Sequence, residues 1–326
     1  MTREQRNKYL MLYLERFGFD SLEDFIHFPK YVQIETSALC NARCSMCLAG
    51  QWKRQAYIMS DEIFSKAIQG LEPFASWIEK VTIQLDGEPL LDQKLEQRIR
   101  SLKKIGVKAV AFASNASLMN EERSLSVIRS GVDEVTFSVD GATKETFERI
   151  RIPLKYKECI SNIEKFIKLR DRHNPNLIIR IRYTIQDTNK HEFREYLRFW
   201  ERRLGPRDYA YGKYLHNWGS GLKGYRLPVE QGLDINELAC ISLWTSFIIL
   251  SDGSVPLCCS DYNVQRKLGN IQENSVKDIW GSEKFAALRR MHLNKGRASI
   301  SICQDCNTWD SSSRVTAKGS SNEVCE

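Results

Sequence analysis

The sequence predicts an α/β fold, a parallel sheet with helical crossovers, followed by a smaller C-terminal α+β unit. Three observations predict it. Between residue 31 and about 216, six short β-branched runs alternate with amphipathic stretches at helical spacing. Strands in such a series are parallel, because parallel neighbours need crossover helices. After residue 216 the pattern gives way to glycine-punctuated loop, and ten cysteines fall mostly into two groups, one behind the first strand and one in the C-terminal part. At 326 residues and 42% hydrophobic content, the chain is long enough for one large unit and a smaller one.

In order along the chain, residues 2–28 read as a helical extension carrying Leu10, Leu12, Tyr13, Phe17, Leu22, Phe25 and Ile26. The strands are expected at 31–36, 79–85, 108–114, 134–140, 177–185 and 209–215, with helices at 60–72, 92–105, 120–130, 156–172 and 190–203 between them. Ile63, Phe64, Ala67, Ile68 and Leu71 show the helical spacing. The expected organisation is an extension over 1–30, a core over 31–216, a linker over 217–239, a cysteine-bearing domain over 240–310 and a tail over 311–326. Within the cysteine-bearing domain, 246–250 and 254–258 flank Ser251-Asp252-Gly253 and read as a hairpin, and 275–293 reads as one helix.

Composition excludes several classes. No apolar run approaches the eighteen or so residues a membrane helix needs, and the start, Met1-Thr2-Arg3-Glu4, reads as too polar for a signal peptide, so secretion is not expected. Clustered cysteines in a chain this long fit metal ligation in a reducing cytoplasm better than disulfides. The net charge of +7 is mild and spread over patches such as Lys103-Lys104, Arg202-Arg203 and Arg289-Arg290. No basic-aromatic module accompanies them, so nucleic-acid binding is not expected; a basic cavity rim would attract an anionic substrate.

The most informative run is Cys40-Asn41-Ala42-Arg43-Cys44-Ser45-Met46-Cys47, directly after the strand-like Val32-Gln33-Ile34-Glu35-Thr36. Three thiolates in so short a loop can hold three corners of a cubic iron–sulfur cluster and leave one iron open, the alternatives being a zinc loop or three packed thiols. Structural zinc takes four ligands, and no fourth Cys or His follows nearby. C-x3-C-x2-C with apolar Met46 before the last Cys resembles the radical S-adenosylmethionine (SAM) superfamily. The resemblance implies a partial (β/α)6 TIM-type barrel, a [4Fe–4S] cluster whose open iron takes the amino and carboxylate groups of SAM, and chemistry at the C-terminal ends of the strands.

Later strand ends extend the resemblance. Asp86-Gly87-Glu88-Pro89 is similar to the family's Gly-Gly-Glu-Pro motif, with Asp86 in place of the first glycine. It implies SAM contacts from Gly87 and Glu88. Ser114-Asn115 and Ser138-Val139-Asp140-Gly141 resemble the segments after the third and fourth strands, and Phe147-Glu148-Arg149-Ile150-Arg151 resembles the stretch whose arginine pairs with the SAM carboxylate. Guanidinium suits that task by binding carboxylate bidentately. Arg180 and Arg182 are further candidates for SAM contact.

Cys240, Cys258, Cys303 and Cys306 form C-x17-C and a distant C-x2-C. Four cysteines also make a closed zinc site. With Gly253 between the first pair, Leu268-Gly269-Asn270-Ile271, Val276-Lys277-Asp278-Ile279-Trp280 and Cys306-Asn307-Thr308-Trp309, the pattern resembles the SPASM/twitch extension that holds auxiliary clusters. The later cysteine positions fall on Ser312 and Thr316. That implies a single auxiliary [4Fe–4S] cluster, as in the twitch form of an aminocyclitol dehydrogenase. Cys259, next to Cys258, stands where relatives carry a base; a buried Cys is also a common packing residue. Cys159 and Cys325 are read as bystanders.

The resemblance implies reductive cleavage of SAM to a 5′-deoxyadenosyl radical, with a reduced flavodoxin or ferredoxin as electron donor. The favoured reaction is two-electron oxidation of a small polar, possibly anionic substrate such as a sugar or aminocyclitol. The alternatives are epimerisation with Cys259 as hydrogen donor and ribosomal-peptide maturation, for which the 30 residues before Tyr31 read as too short to hold a peptide-recognition domain. Lys213 and His216, at the sixth strand's end, are candidates for the base.

Overall fold

The structure is a computed structural model that describes residues 8–55, 57–219, 221–222, 236, 238–307, 314–316 and 319–321. Its strands are β1 (Tyr31–Ile34), β2 (Arg43–Cys44), β3 (Lys80–Thr82), β4 (Val110–Ser114), β5 (Glu134–Ser138), β6 (Arg151–Ile152), β7 (Ile178–Ile185), β8 (Tyr209–Tyr214), β9 (Ser246–Ile249), β10 (Ser254–Val255), β11 (Gly269–Asn270), β12 (Arg314–Thr316) and β13 (Gly319–Ser321). One sheet runs in the order β13-β12-β8-β7-β5-β4-β3-β1-β9. From β9 to β8 it is parallel throughout. This is the expected α/β barrel-type architecture, with all six expected strands in it.

Alternation along the strands decides what each side chain meets. Val32, Ile34, Val81, Val110, Phe112, Val135, Phe137, Ile179 and Ile181 are buried. Phe137 meets Phe166 of helix Tyr156–His173 at 5.2 Å between ring centroids, edge to face. Tyr196 of helix Phe193–Glu201 donates its hydroxyl to the Ile181 carbonyl at 2.7 Å. The opposite parity carries polar residues such as Gln33, Gln84, Ser138, Arg182 and Thr184, which line a cavity. Helices begin where side chains cap them: Ser60 accepts from Ile63 N at 3.2 Å, and Asn120 from Arg123 N at 2.8 Å. At the other end of the sheet Glu134 pairs with Lys80 at 3.0 Å and Arg180 at 2.6 Å. Arg180 therefore lies away from the strands' C-terminal ends and is no SAM-contact candidate.

Four expectations are corrected. The 246–250/254–258 hairpin does not form as a ladder. The turn exists, with Gly253 at φ +81° and Leu250 N bonded to Ser254 O at 2.9 Å, but β9 pairs in parallel with β1 and β10 pairs with β11. The reason is legible in hindsight: Phe247-Ile248-Ile249-Leu250 is continuously buried, the signature of a parallel strand covered on both faces. The start of the expected cysteine-bearing domain is thus built into the main sheet. The stretch 275–293 is two helices, Val276–Trp280 and Glu283–Leu293, broken at Gly281-Ser282. A short helix, Lys144–Ile150, goes unpredicted because seven residues are too few to show a period. The expected tail supplies β12 and β13, β12 pairing antiparallel with β8, the last strand of the parallel run, through Val315 and Gly212. Residues 1–7, most of 223–237, Thr308, Trp309, Ser312 and Cys325 lie outside the described residues.

Candidate active site

At the C-terminal ends of the barrel strands lies a cavity of about 310 Å³. Its wall includes Cys40, Cys44, Cys47, Gly87, Glu88, Ser114, Asn115, Ser138, Arg151, Arg182, Lys213, His216 and Cys259, all expected site residues. Asp140 and the four cysteines of the second set are not on that wall.

The cysteine loop is held from both sides. Cys44 belongs to β2 and faces Arg151 of β6 across a two-stranded ladder, with Ser45 N bonded to Ile150 O at 2.8 Å. Cys47 N closes a turn on Cys44 O at 3.0 Å. Asn41, between the first two cysteines, accepts from Asn115 Nδ2 and donates to Ser117, both at 2.9 Å. That tie from loop to β4 was not foreseen; an Asn between two cysteines carries no signal of its own. Arg151 Nη1 lies 3.9 Å from Cys44 Sγ. Its Nε and Nη2 reach Asp140 Oδ2 at 2.7 and 2.6 Å, and Thr184 N donates to Asp140 Oδ1 at 2.6 Å. Fully buried Asp140 is therefore an anchor for Arg151 and β7, where a cofactor contact is expected from the sequence.

Glu88 is buried, with Oε1 accepting from Ser114 Oγ at 2.8 Å and Leu90 N at 3.2 Å, and Oε2 from Asn115 N at 2.8 Å. Burial pushes its carboxyl up, against the pull of these donors. Gly87 is required by space: a Cβ there would stand 2.1 Å from Ser37 O and 2.6 Å from Leu39 O. The Asp86-Gly87-Glu88 backbone thus presses onto the segment that leads into Cys40.

Across the cavity, Arg182 donates to Ser138 Oγ at 2.8 Å. His216 is half-buried, and its pKa falls to about 4, through desolvation first and then the charges of Lys213 and Arg182. Its Nδ1 accepts from Trp218 N at 3.2 Å. A neutral ring bonded that way carries its proton on Nε2 and donates there, which argues against His216 as the base.

A second polar cluster joins the cavity to the C-terminal part. Arg54 donates from Nη1 and Nη2 to the two oxygens of buried Glu35 at 2.8 and 2.6 Å, from Nη2 to Asp86 at 3.1 Å, and from Nε to Tyr262 O at 2.8 Å. Asp86, also on the cavity wall, has its pKa raised to about 7 by burial and then by the Glu35 charge, with Arg54 opposing. Sequence reading treated Asp86 as a minor departure from a motif and missed Arg54 and Glu35.

Cys258 of the second cysteine set directly precedes Cys259 of the wall. Burial, then the charges of Cys259, Cys306, Cys303 and Cys240, push the Cys258 thiol well up, so the second set is mutually close. Asn217, after β8, exchanges bonds with Asn307 at 2.8 and 3.1 Å and donates to Asp305 O at 2.7 Å. Cys240 N donates to His292 Nδ1 at 3.2 Å. Arg297, 1% exposed, donates from Nε to Cys303 O at 3.1 Å, from Nη1 to Leu238 O at 3.3 Å, and from Nη2 to Cys306 O. Neither His292 nor Arg297 stands out in the sequence. Among the described residues no three Cys, His, Asp or Glu side chains are arranged as the shell of a bare metal ion.

Residues 34–199 match the model of the radical SAM superfamily. The chain belongs to that superfamily. Residues 240–307 match an iron–sulfur cluster-binding domain, SPASM. The enzyme is 24% identical over 335 residues to the tungsten-containing aldehyde ferredoxin oxidoreductase cofactor-modifying protein of Pyrococcus furiosus, covering 86% of this chain and 88% of that one. It is 19% identical to the S-adenosyl-L-methionine-dependent 2-deoxy-scyllo-inosamine dehydrogenase of Niallia circulans, over 85% and 92% of the two chains. The crystal structure of BtrN in complex with AdoMet and 2-DOIA shares the fold, with a TM-score of 0.60 at 17% identity over 86% of this chain and 93% of that one.

Membership brings a [4Fe–4S] cluster and SAM as cofactors, and the second matched domain brings an auxiliary iron–sulfur cluster. The residues present suit these groups. Cysteine thiolates are the ligands such clusters take, Arg151 places a positive charge beside Cys44, and Gly87 keeps a side chain out of a close backbone approach. Among the described residues no helix is long and apolar enough to cross a membrane.

Proposed function

We propose that this radical SAM enzyme removes two electrons from a small hydroxylated substrate, a sugar or aminocyclitol, converting a carbinol carbon to a carbonyl. The observation that carries the reading is Cys259 and Ser260 on the cavity wall, immediately after Cys258 of the second cysteine set. Substrate space and auxiliary site would then share a wall. The dehydrogenase named among the relatives supports the same reading.

In this reading Cys40, Cys44 and Cys47 hold the SAM-cleaving cluster, and Cys240, Cys258, Cys303 and Cys306 hold the auxiliary one. When bound, SAM with its cluster supplies the radical that takes a hydrogen atom from substrate, and the auxiliary cluster supplies an acceptor for the electron left behind. Glu88, set by Ser114 and Asn115, shapes the SAM end of the cavity, while Ser138, Arg182 and Arg151 give it polar donors. Asp86 accepts the hydroxyl proton: Arg54 fixes its Oδ2, and a pKa raised to about 7 suits a general base at neutral pH. Lys213 and the Nε2 proton of His216 hold the substrate's oxygens. Reduced flavodoxin or ferredoxin supplies the electron for SAM cleavage.

A second reading, epimerisation, is favoured by the same cavity position of Cys259, whose S–H would return a hydrogen atom to the substrate carbon. Both are tested with a substrate deuterated at the reacting carbon, beginning with 2-deoxy-scyllo-inosamine and related polyols. Oxidation moves the deuterium into 5′-deoxyadenosine and yields a product lighter by H2 than the undeuterated substrate. A product with the undeuterated substrate's mass and a solvent-derived hydrogen, abolished by Cys259→Ala with SAM cleavage intact, rejects oxidation.

A further inference from the structure

We propose that Arg297 sets the auxiliary cluster at a raised reduction potential, as an electrostatic and positioning residue behind three of its four ligands. The inference rests on Cys240, Cys258, Cys303 and Cys306 being the ligand set. Arg297 is in the 3-10 turn Gly296–Ser299, between helix Glu283–Leu293 and the C-x2-C turn. Its guanidinium spans that turn, donating to the carbonyls of both ligand residues, Cys303 and Cys306, and also to Leu238 O, two residues before Cys240. His292, one turn earlier, receives Cys240 N. One buried segment thus fixes the backbone of three cysteines.

A charge in that place does more than tie carbonyls. Arg297 is 1% exposed, so the charge it holds against the Cys303 and Cys306 carbonyls is little screened by solvent. Arg266, by contrast, is exposed, so its charge is screened by solvent. Iron–sulfur potentials respond to net charge, hydrogen bonding and solvent exposure, and ligand-orienting neighbours tune a metal site as its ligands do. A buried guanidinium stabilises the more negative, reduced state of a thiolate-ligated cluster. It favours acceptance of an electron from the substrate side.

The test uses the full-length protein carrying Cys40→Ala, Cys44→Ala and Cys47→Ala, so that only the auxiliary cluster is present. Its midpoint potential is measured by redox titration followed by electron paramagnetic resonance, with Arg297→Gln, Arg297→Lys and the exposed control Arg266→Gln beside it. The expected result is a clearly more negative midpoint in Arg297→Gln, a near-parental one in Arg297→Lys, and no change in Arg266→Gln. An unchanged midpoint in Arg297→Gln overturns the proposal. So does an equal shift in Arg297→Lys, which would assign the effect to the lost carbonyl contacts. Failure of Arg297→Gln to load iron while the parent loads it also overturns the proposal, reducing Arg297 to a loop tie. A parent without iron and sulfide refutes the ligand set itself.

Discussion

Arg151 clasps Asp140 Oδ2 with two nitrogens, at 2.6 and 2.7 Å, and turns its third toward Cys44 Sγ at 3.9 Å. Neither partner is solvent-screened: their side chains are 8% and 0% exposed. The pair also bonds Thr184 N, joining the cysteine loop, β5 and β7. Asp140→Asn should therefore lower the unfolding free energy by about 3–5 kcal/mol, the usual cost of leaving a buried charge without its partner. Urea denaturation of the metal-free protein at neutral pH checks this. A loss no larger than that of an exposed pair such as Lys190–Asp187 would show the clasp to be expendable.

Replacing Cys40, Cys44 and Cys47 together with Ala should abolish 5′-deoxyadenosine formation in anaerobically reconstituted protein. Iron and sulfide analysis of the same protein should find about one [4Fe–4S] per chain, since four thiolates saturate one cubane. Undiminished SAM cleavage, or zinc in place of iron, contradicts the assignment.

Gly87→Ala places a methyl 2.1 Å from Ser37 O, backbone that has no side chain to swing away. Overpacking of this kind costs about 1–3 kcal/mol. SAM affinity, measured by equilibrium dialysis, should fall about tenfold or more, as each 1.4 kcal/mol is a factor of ten. Gly281→Ala, where the nearest atom is 3.4 Å away, should leave it unchanged.

The Glu35–Arg54–Asp86 cluster predicts a pH effect. Asp86 in the fold titrates near 7, against an ordinary value of 3.8, so the folded state binds more protons than the unfolded state between these limits. Its contribution is full below about pH 4 and is lost as pH rises through 7. Compared with wild type, Asp86→Asn should gain relative stability from pH 5 to pH 8 in urea midpoints. The comparison between proteins is needed because His216 and His292, lowered to about 4 and about 3, act in the opposite sense. Parallel curves for the two proteins would mean that Asp86 does not titrate in this range.

Much of the site was readable because its signals are local. The spacing of Cys40, Cys44 and Cys47 sits in eight consecutive residues, Ser114 and Ser138 end strands, and Gly87, Glu88 and Asn115 come shortly after strands. What reading along the chain missed is made by pairs far apart: Asn41 with Asn115, Arg54 with Asp86, Asn217 with Asn307, and Arg297 with Cys303 and Cys306 across a turn. A polar side chain shows its burial and partner only once the backbone has folded.

By itself the sequence determined the parallel α/β core, the places of its six barrel strands and the residue types that converge at their C-terminal ends, because hydrophobic periodicity and ligand spacing are written in neighbouring residues. The tertiary structure alone decided that β9 leaves its expected hairpin for β1, that Asp140 binds Arg151 and Thr184 N and is not itself on the cavity wall, that His216 Nδ1 accepts from Trp218 N, and that Asp86 and Cys259 share one cavity. Strand partnership, burial and proton position depend on which distant groups come to lie within a few ångströms, and the free energies that settle them arise only when water has been excluded from between those groups.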